Sequence, residues 1–220
     1  MGLPLYALRS LKPYLKGAEV LSLSYPDILV SPEDMKENFG FEVKRITNQN
    51  RRHHVNFQLP ETRDVFDFFE VKKLDCVDIA KTEGSERVVD LNYPNDLGKY
   101  DVIIDPGTLE HCFNIGQAFM NCANAVKTGG IIFHLSPVNM MNHGFYNLCP
   151  TVFYDFYTQN GWTVEVMEML NGNSMKYDPT ARFFLNLEYL VGCIAKRRSG
   201  AALKYPTQTK YLLMEASKAA

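Results

Sequence analysis

Tyr100-Asp-Val-Ile-Ile-Asp105 is a short apolar run, β-branched at its centre and ended by an acid. A membrane span needs roughly 18 or more apolar residues, so this run is too short to be one. Its length and its β-branching predict a strand rather than a helix. A strand without polar alternation is buried on both faces, the situation of a parallel sheet covered by helices. That requirement governs how the rest of the chain is read, because the flanking segments must supply the covering helices.

They do so in alternation. Leu5, Leu8, Leu11 and Leu15 recur at helical spacing within Leu5 to Lys16, and Gly17 closes that segment. Glu19 to Ser24 reads as a strand. Ser31 before Pro32 is a helix start, and Gly40 stops that helix. Thr62 to Phe69 reads as a helix, with Val65, Phe66 and Phe69 on one face. Lys73 to Asp78 and Arg87 to Asn92 read as strands, and Thr108 to Lys127 as a helix closed by Gly129-Gly130. A fifth strand, Ile131 to Leu135, precedes a helix at Pro150 to Gln159. Trp162 to Leu170 and Leu187 to Lys196 alternate more, as an antiparallel edge pair would. Alternating strands and helices predict an α/β doubly wound sheet. Residues 41–60, polar and basic with His53 and His54, read as an excursion or lid. Residues 1–198 are expected to form the domain, and 199–220 a tail without pattern.

Composition narrows the function classes. With 220 residues, 46% hydrophobic and 22% charged, the chain has enough core to fold without disulfides or metals. Its 23 basic and 25 acidic residues leave a net charge of −2. The only basic clusters, Arg51-Arg52-His53-His54 and Lys196-Arg197-Arg198, are short, so no nucleic-acid partner is expected. Five cysteines without a C-x-x-C pair suggest reduced thiols in a cytoplasmic setting. Arg9, Lys12 and Lys16 interrupt the N-terminal segment, so it lacks a signal peptide's apolar core, and no membrane insertion is expected.

In a doubly wound sheet, ligands bind beyond the carboxyl ends of the strands. Those ends are polar here: Ser24 to Asp27, Asp78, Asp90-Leu91-Asn92, Asp105 to His111, and Ser136 to Asn139. Tyr100-Asp-Val-Ile-Ile-Asp-Pro-Gly-Thr-Leu-Glu-His111, a helix, then Val126-Lys-Thr-Gly-Gly-Ile-Ile-Phe-His134 resemble the fourth strand, following helix and fifth strand of class I S-adenosylmethionine-dependent methyltransferases. The resemblance covers about residues 5–198. It implies a Rossmann-like seven-stranded, mostly parallel sheet with helices on both faces and an antiparallel edge strand. Asn142-His-Gly-Phe-Tyr146 and Pro150-Thr-Val-Phe-Tyr-Asp155 resemble a subgroup that accompanies glycan or natural-product biosynthesis.

The resemblance implies S-adenosylmethionine as cofactor, with Asp78 on the ribose hydroxyls and Asp75 as the competing choice. It sets Asp90 and Leu91 beside the adenine, with Asn92 there or in a turn, and Asp105 and Gly107 at the fourth strand's end. The first strand departs from the family. Ser22, Ser24, Tyr25 and Pro26 stand where an acid and glycines are expected, and a glycine would let the backbone approach the ligand closely.

Methyl transfer to a hydroxyl needs alignment and a base. Asp105, Glu110, His111 and His143 are the candidate bases, with His143 first, Asp105 second, and His111 placed at a helix start. His134 reads as core. Phe145 and Tyr146 suit stacking on a sugar or planar acceptor. The same acids and histidines offer ligands to magnesium or calcium, but the absence of an adjacent acidic pair disfavours a metal. The expected activity is O-methylation of a sugar hydroxyl in a glycan or its precursor. An NAD-binding oxidoreductase is one rival, weakened by the missing G-x-G-x-x-G. A non-catalytic module with a degenerate fold is another.

Overall fold

The computed structural model describes residues 2–47, 57–171, 173–178 and 185–219. The chain begins with β1 (Gly2–Pro4), α1 (Leu5–Leu15), β2 (Glu19–Leu23), β3 (Asp27–Leu29) and α2 (Pro32–Phe39). It continues through β4 (Ile46–Thr47), β5 (Leu59–Pro60), α3 (Thr62–Phe68), β6 (Lys73–Asp78), β7 (Arg87–Val88) and β8 (Tyr100–Asp105). A single 3-10 turn, Leu109–His111, leads to α4 (Ile115–Ala125), β9 (Val126–Pro137) and α5 (Pro150–Gln159). The last elements are β10 (Thr163–Asn171), β11 (Asn173–Lys176), β12 (Leu190–Lys196) and α6 (Thr209–Ala219).

Eight strands form the main sheet, in the order β7-β6-β2-β8-β9-β12-β10-β11. The five from β7 to β9 run parallel, and each pairing across β9, β12, β10 and β11 is antiparallel. The order reverses between β2 and β8, the switch point where such sheets bind ligands. Two cores lie on opposite faces. One gathers α4 and α5 around Phe119, Phe153 and Tyr157. The other gathers α1, α2 and α3 around Leu8, Leu11, Met35 and Phe66. Val102 and Ile104 face the second core and Ile103 the first, so the central run of β8 is covered on both sides as its composition requires.

Several expectations need correction. The sheet has eight strands rather than seven, because β11 pairs antiparallel with β10 beyond the expected edge pair. The third parallel strand is only Arg87–Val88, a short and exposed edge. The helix expected from Thr108 to Lys127 begins at Ile115 instead. Asn114 caps it by accepting from the Gln117 amide, and its last two expected residues belong to β9. Gly130 lies inside β9, where a Cβ would stand 2.6 Å from the Asp101 carbonyl. Within the 41–60 excursion, Ile46–Thr47 pairs with Leu59–Pro60, and residues 48–56, with His53 and His54, lie outside the described residues.

The tail carries a helix that its sequence hid. Thr209 opens α6, its amide donating to Asp155 Oδ2 at 3.1 Å and its hydroxyl to the same carboxylate. Asn160 and Lys204 exchange two hydrogen bonds, at 2.8 and 2.9 Å. Arg197 is buried where the tail leaves the sheet. Its guanidinium donates to the carbonyls of Ala123 (3.1 Å), Val126 (2.8 Å) and Ser199 (2.9 Å) and lies over the Trp162 ring at 5.7 Å. The first two carbonyls belong to the end of α4 and the residue after it, so the cation closes that helix as a C-terminal cap would.

Removing this cation leaves buried carbonyls without a donor, each worth about 1–3 kcal/mol. Arg197→Met is expected to lower unfolding stability by about 2–4 kcal/mol in urea titration with an unchanged m-value. A loss under about 0.5 kcal/mol would show that the tail junction does not depend on the cation.

Candidate functional site

The carboxyl ends of β6, β7 and β8 enclose a cavity of about 320 Å³, lined by Val77, Asp78, Ile79, Val89, Asp90, Leu91, Asn92, Thr108, His111 and Cys112. Its walls are mainly apolar, with carboxylates and an amide at the rim. This volume is at the lower end for small-ligand sites. Asp78 ends β6 on the cavity. Asp75, three residues back in the same strand, is held by Tyr100 Oη (2.8 Å) and Lys73 Nζ (2.6 Å) and does not line it. Asp90 accepts from the Asn92 amide (2.9 Å) and from its side chain (2.7 Å), and Asn92 Oδ1 accepts from the Asn114 amide at 2.8 Å. Asn92 is therefore at once a turn residue and part of the wall.

Beneath this cavity lies a buried polar chain. Asp105 is fully buried at the end of β8. Its Oδ1 accepts from the Thr108 amide at 2.7 Å, and its Oδ2 meets His134 Nδ1 at 2.7 Å. His134 Nε2 meets Tyr157 Oη at 2.6 Å, and both of these residues are also fully buried. Burial drives the Tyr157 phenol far above its ordinary pKa, so it stays protonated. Asp105 thus anchors a loop and a core histidine, and it does not line the cavity. His134 is core, as its sequence position implied.

The turn after β2 also lies off the wall. Ser22 and Ser24 are buried with hydroxyl oxygens that find no hydrogen-bond partner, and Pro26 is buried beside them. The Tyr25 hydroxyl donates to Glu61 at 2.5 Å, and burial raises its pKa. Ser24 has φ +88°, in the region glycine favours, so a residue that lacks glycine's freedom still makes a glycine-like turn. Gly107 has φ +98° in the facing loop. Thr108, which does line the cavity, donates its hydroxyl to the Leu23 carbonyl at 2.5 Å, joining the two loops.

His111 sits in the 3-10 turn rather than at the helix start expected for it, so no α-helix N-terminus acts on its imidazole. It meets His143 with ring centroids 5.4 Å apart, and His143 Nε2 lies 3.5 Å from Glu110 Oε1. Burial, and then the neighbouring His143, lower the His111 pKa. Glu110 is fully buried and neither carboxyl oxygen makes a hydrogen bond. Burial, reinforced by the Asp105 charge, pushes its pKa up to about 8. The loop carrying His143 is seated on the Glu110 backbone. The amides of Phe145 (2.9 Å) and Tyr146 (3.2 Å) donate to the Glu110 carbonyl, and a Cβ on Gly144 would lie 2.8 Å from that oxygen. Phe113 and Phe145 meet edge to face at 5.7 Å and are both exposed, and the Tyr146 hydroxyl donates to the Phe113 carbonyl.

Sequence reasoning included Thr108 only within the Asp105–His111 strand end, missed the apolar wall residues Val77, Ile79, Val89 and Cys112, and missed Tyr157 as the end of the buried chain. Their only sequence signal was position, beside or just after a strand-end acid or on the inner face of a helix.

No family model matches the chain, and no curated protein matches it. Solved structures do. One is Burkholderia thailandensis 1,6-didemethyltoxoflavin-N1-methyltransferase with bound 1,6-didemethyltoxoflavin and S-adenosylhomocysteine, at 14% identity and TM-score 0.47, covering 86% of this chain and 78% of that one. A second is a candidate hemolysin from Streptococcus thermophilus, at 12% identity and TM-score 0.47, covering 97% and 71%. A third comes from the conversion of a disulfide bond into a thioacetal group during echinomycin biosynthesis, at 13% identity and TM-score 0.41, covering 99% and 90%. At these scores the likeness is partial, and the functional reading rests on this chain's own residues.

The Glu110 carboxyl makes stability depend on pH. Its folded pKa of about 8 exceeds the ordinary 4.5, so its contribution is fully present below pH 4.5 and is lost as pH rises through 8. Glu110→Gln is expected to flatten this part of the profile and to be relatively more stable above pH 8. Urea midpoints measured from pH 4.5 to 9 in chelating buffer test this, and parallel profiles for parent and variant would refute it. At the β2 turn, Ser24→Gly relieves a positive φ and is expected to stabilise by about 1 kcal/mol. A thermal midpoint lower than the parent's would show that the serine side chain contributes more than the strain costs.

Proposed function

We propose that the chain is an S-adenosylmethionine-dependent methyltransferase acting on a hydroxyl of a small, ring-containing acceptor such as a sugar. One observation carries the donor assignment. The carboxylates of Asp78 and Asp90, at the ends of neighbouring strands, border a cavity whose apolar walls include Val77, Val89, Leu91 and Cys112. Such walls suit a flat heterocycle, and a strand-end carboxylate accepts from two ribose hydroxyls at once. In this reading the remainder of the donor would extend past Thr108 toward the turn of Ser24 to Pro26, which lies off the cavity wall itself. The Thr108–Leu23 bond, which holds the loop of Thr108 beside that turn, supports this placement.

When bound, the donor supplies a sulfonium methyl that passes to the acceptor oxygen as the carbon–sulfur bond breaks and its electron pair stays on sulfur. The chain's own part is alignment, exclusion of water and management of the hydroxyl proton. Asp105 is poorly placed for the proton, since it is fully buried and bonded to Thr108 and His134. The Glu110–His111–His143 cluster is better placed, because His111 reaches the cavity and His143 is partly open to solvent. The exposed Phe113–Phe145 pair beside this cluster supports a ring-shaped acceptor.

Calorimetric titration with S-adenosylmethionine, S-adenosylhomocysteine and NAD tests the donor. The first two are expected to bind and NAD not to bind. A charge-assisted hydrogen bond is worth about 1.5–3 kcal/mol. Asp78→Ala should therefore weaken donor binding by about 10- to 100-fold, while Asp75→Ala leaves it within about twofold. Tight NAD binding would move the chain to the oxidoreductase class. Failure of all three ligands to bind would leave a non-catalytic module.

A further inference from the structure

We propose that Glu110, His111 and His143 form a binding site for a divalent transition-metal ion of the zinc class. The proposal deepens the reading above, since it specifies how the cluster beside the cavity would handle an acceptor oxygen. One ligand atom from each of the three residues lies within 4.8 Å of the others. Donors bonded to a tetrahedral zinc at the usual 2.0–2.3 Å stand about 3.3–3.7 Å apart. The Glu110–His143 separation of 3.5 Å already meets that spacing. His111 and His143 are both exposed and can turn about their side-chain bonds to bring in the other two pairs.

The second observation is independent of spacing. Glu110 is fully buried, yet both of its carboxyl oxygens lack a hydrogen-bond partner. A buried polar group without a partner is costly, and a buried carboxylate more so. Asp105, close enough to repel it, adds a second acid. No lysine or arginine among the described residues forms an ion pair with Glu110; the His143 imidazole stands 3.5 Å away, and the Ser136 hydroxyl is the neutral group beside the carboxyl. A cation held between the carboxylate and two imidazoles would satisfy all three groups together.

The donor set selects the ion. Magnesium and calcium prefer oxygen ligands, whereas two imidazoles with one carboxylate suit zinc, cobalt or their neighbours. Asp105 would be the fourth ligand of a harder site, but it is engaged by Thr108 and His134. Three protein ligands leave a coordination position open, as in catalytic zinc sites. His111 lines the cavity, so that position would face the ligand space, where the ion would favour the ionised form of a bound hydroxyl. The seating of Gly144, Phe145 and Tyr146 on the Glu110 carbonyl would hold His143 in reach of the other two ligands.

The test uses tag-free, chelator-treated protein titrated with cobalt(II) and zinc(II), followed by calorimetry and by the visible spectrum of the cobalt form. One ion per chain is expected, with a cobalt spectrum showing imidazole coordination. Changing a residue that merely supports a metal ligand costs about 10- to 100-fold in affinity, so losing a ligand should cost at least tenfold. That loss is expected in His143→Ala, whose side chain is partly exposed, and in Glu110→Gln, while His134→Gln keeps the spectrum if it folds. Absence of binding to the parent at millimolar ion, or unchanged binding in both ligand variants, would overturn the proposal. S-adenosylhomocysteine titration of the same samples separates the two readings. Metal binding without donor binding would remove the methyltransferase assignment and leave the ion site standing.

Discussion

The carboxylate of Asp105 is the point on which the site's geometry depends. It ends the central buried strand, and its two oxygens work in opposite directions. One holds the Thr108 amide and so fixes the loop that leads to Glu110 and His111. The other holds His134, and through it Tyr157 on α5. A buried carboxylate is stable only when such donors surround it. The same two bonds therefore make the acid tolerable in the core and set the position of the loop above it. Loss of that carboxylate would release a buried histidine and a cavity wall together.

From that anchor the site divides into two parts. The floor and much of the wall come from strand ends and are rigid, since β6 and β8 pair on either side of β2 along most of its length. The cluster at the mouth comes from a 3-10 turn and a loop, which carry fewer regular hydrogen bonds. Rigid elements suit binding, and irregular ones place side chains where regular elements cannot reach. In the proposed reaction the donor would rest on the rigid part, and the proton would be handled at the adaptable part.

Much of this was legible in the sequence where one physical rule acted alone. Lys73–Asp78, Tyr100–Asp105 and Pro150–Gln159 were read with their ends in place, because apolar runs, strand-end acids and a proline at a helix start signal boundaries locally. Ser31 and Gly40 behave as the caps they resemble, with Ser31 accepting from the Asp34 amide and Gly40 left-handed. Long-range choices were hidden. The break between His111 and Ile115 is held by the Thr108 hydroxyl donating to the Leu23 carbonyl and the Asn114 amide donating to Asn92, bonds to remote segments that no periodicity records. The tail helix depends on Asp155, more than fifty residues earlier in the chain. At the site, Asp78 was separable from Asp75 by strand position alone, whereas the orphaned oxygens of Glu110 appear only once the fold closes over them.

The contact of Gly144 with the Glu110 carbonyl ties two remote stretches of chain into one mechanical unit. His143, Phe145 and Tyr146 share the short loop seated there, so the imidazole and the neighbouring aromatic surface cannot be repositioned separately. A transplant of this loop would therefore exchange reactive group and recognition surface in one step. Conversely, any side chain larger than hydrogen at position 144 would lever both away from the cavity mouth while leaving the strand-end floor intact. The chain thus carries an exchangeable module whose fit is policed by a single missing methyl group.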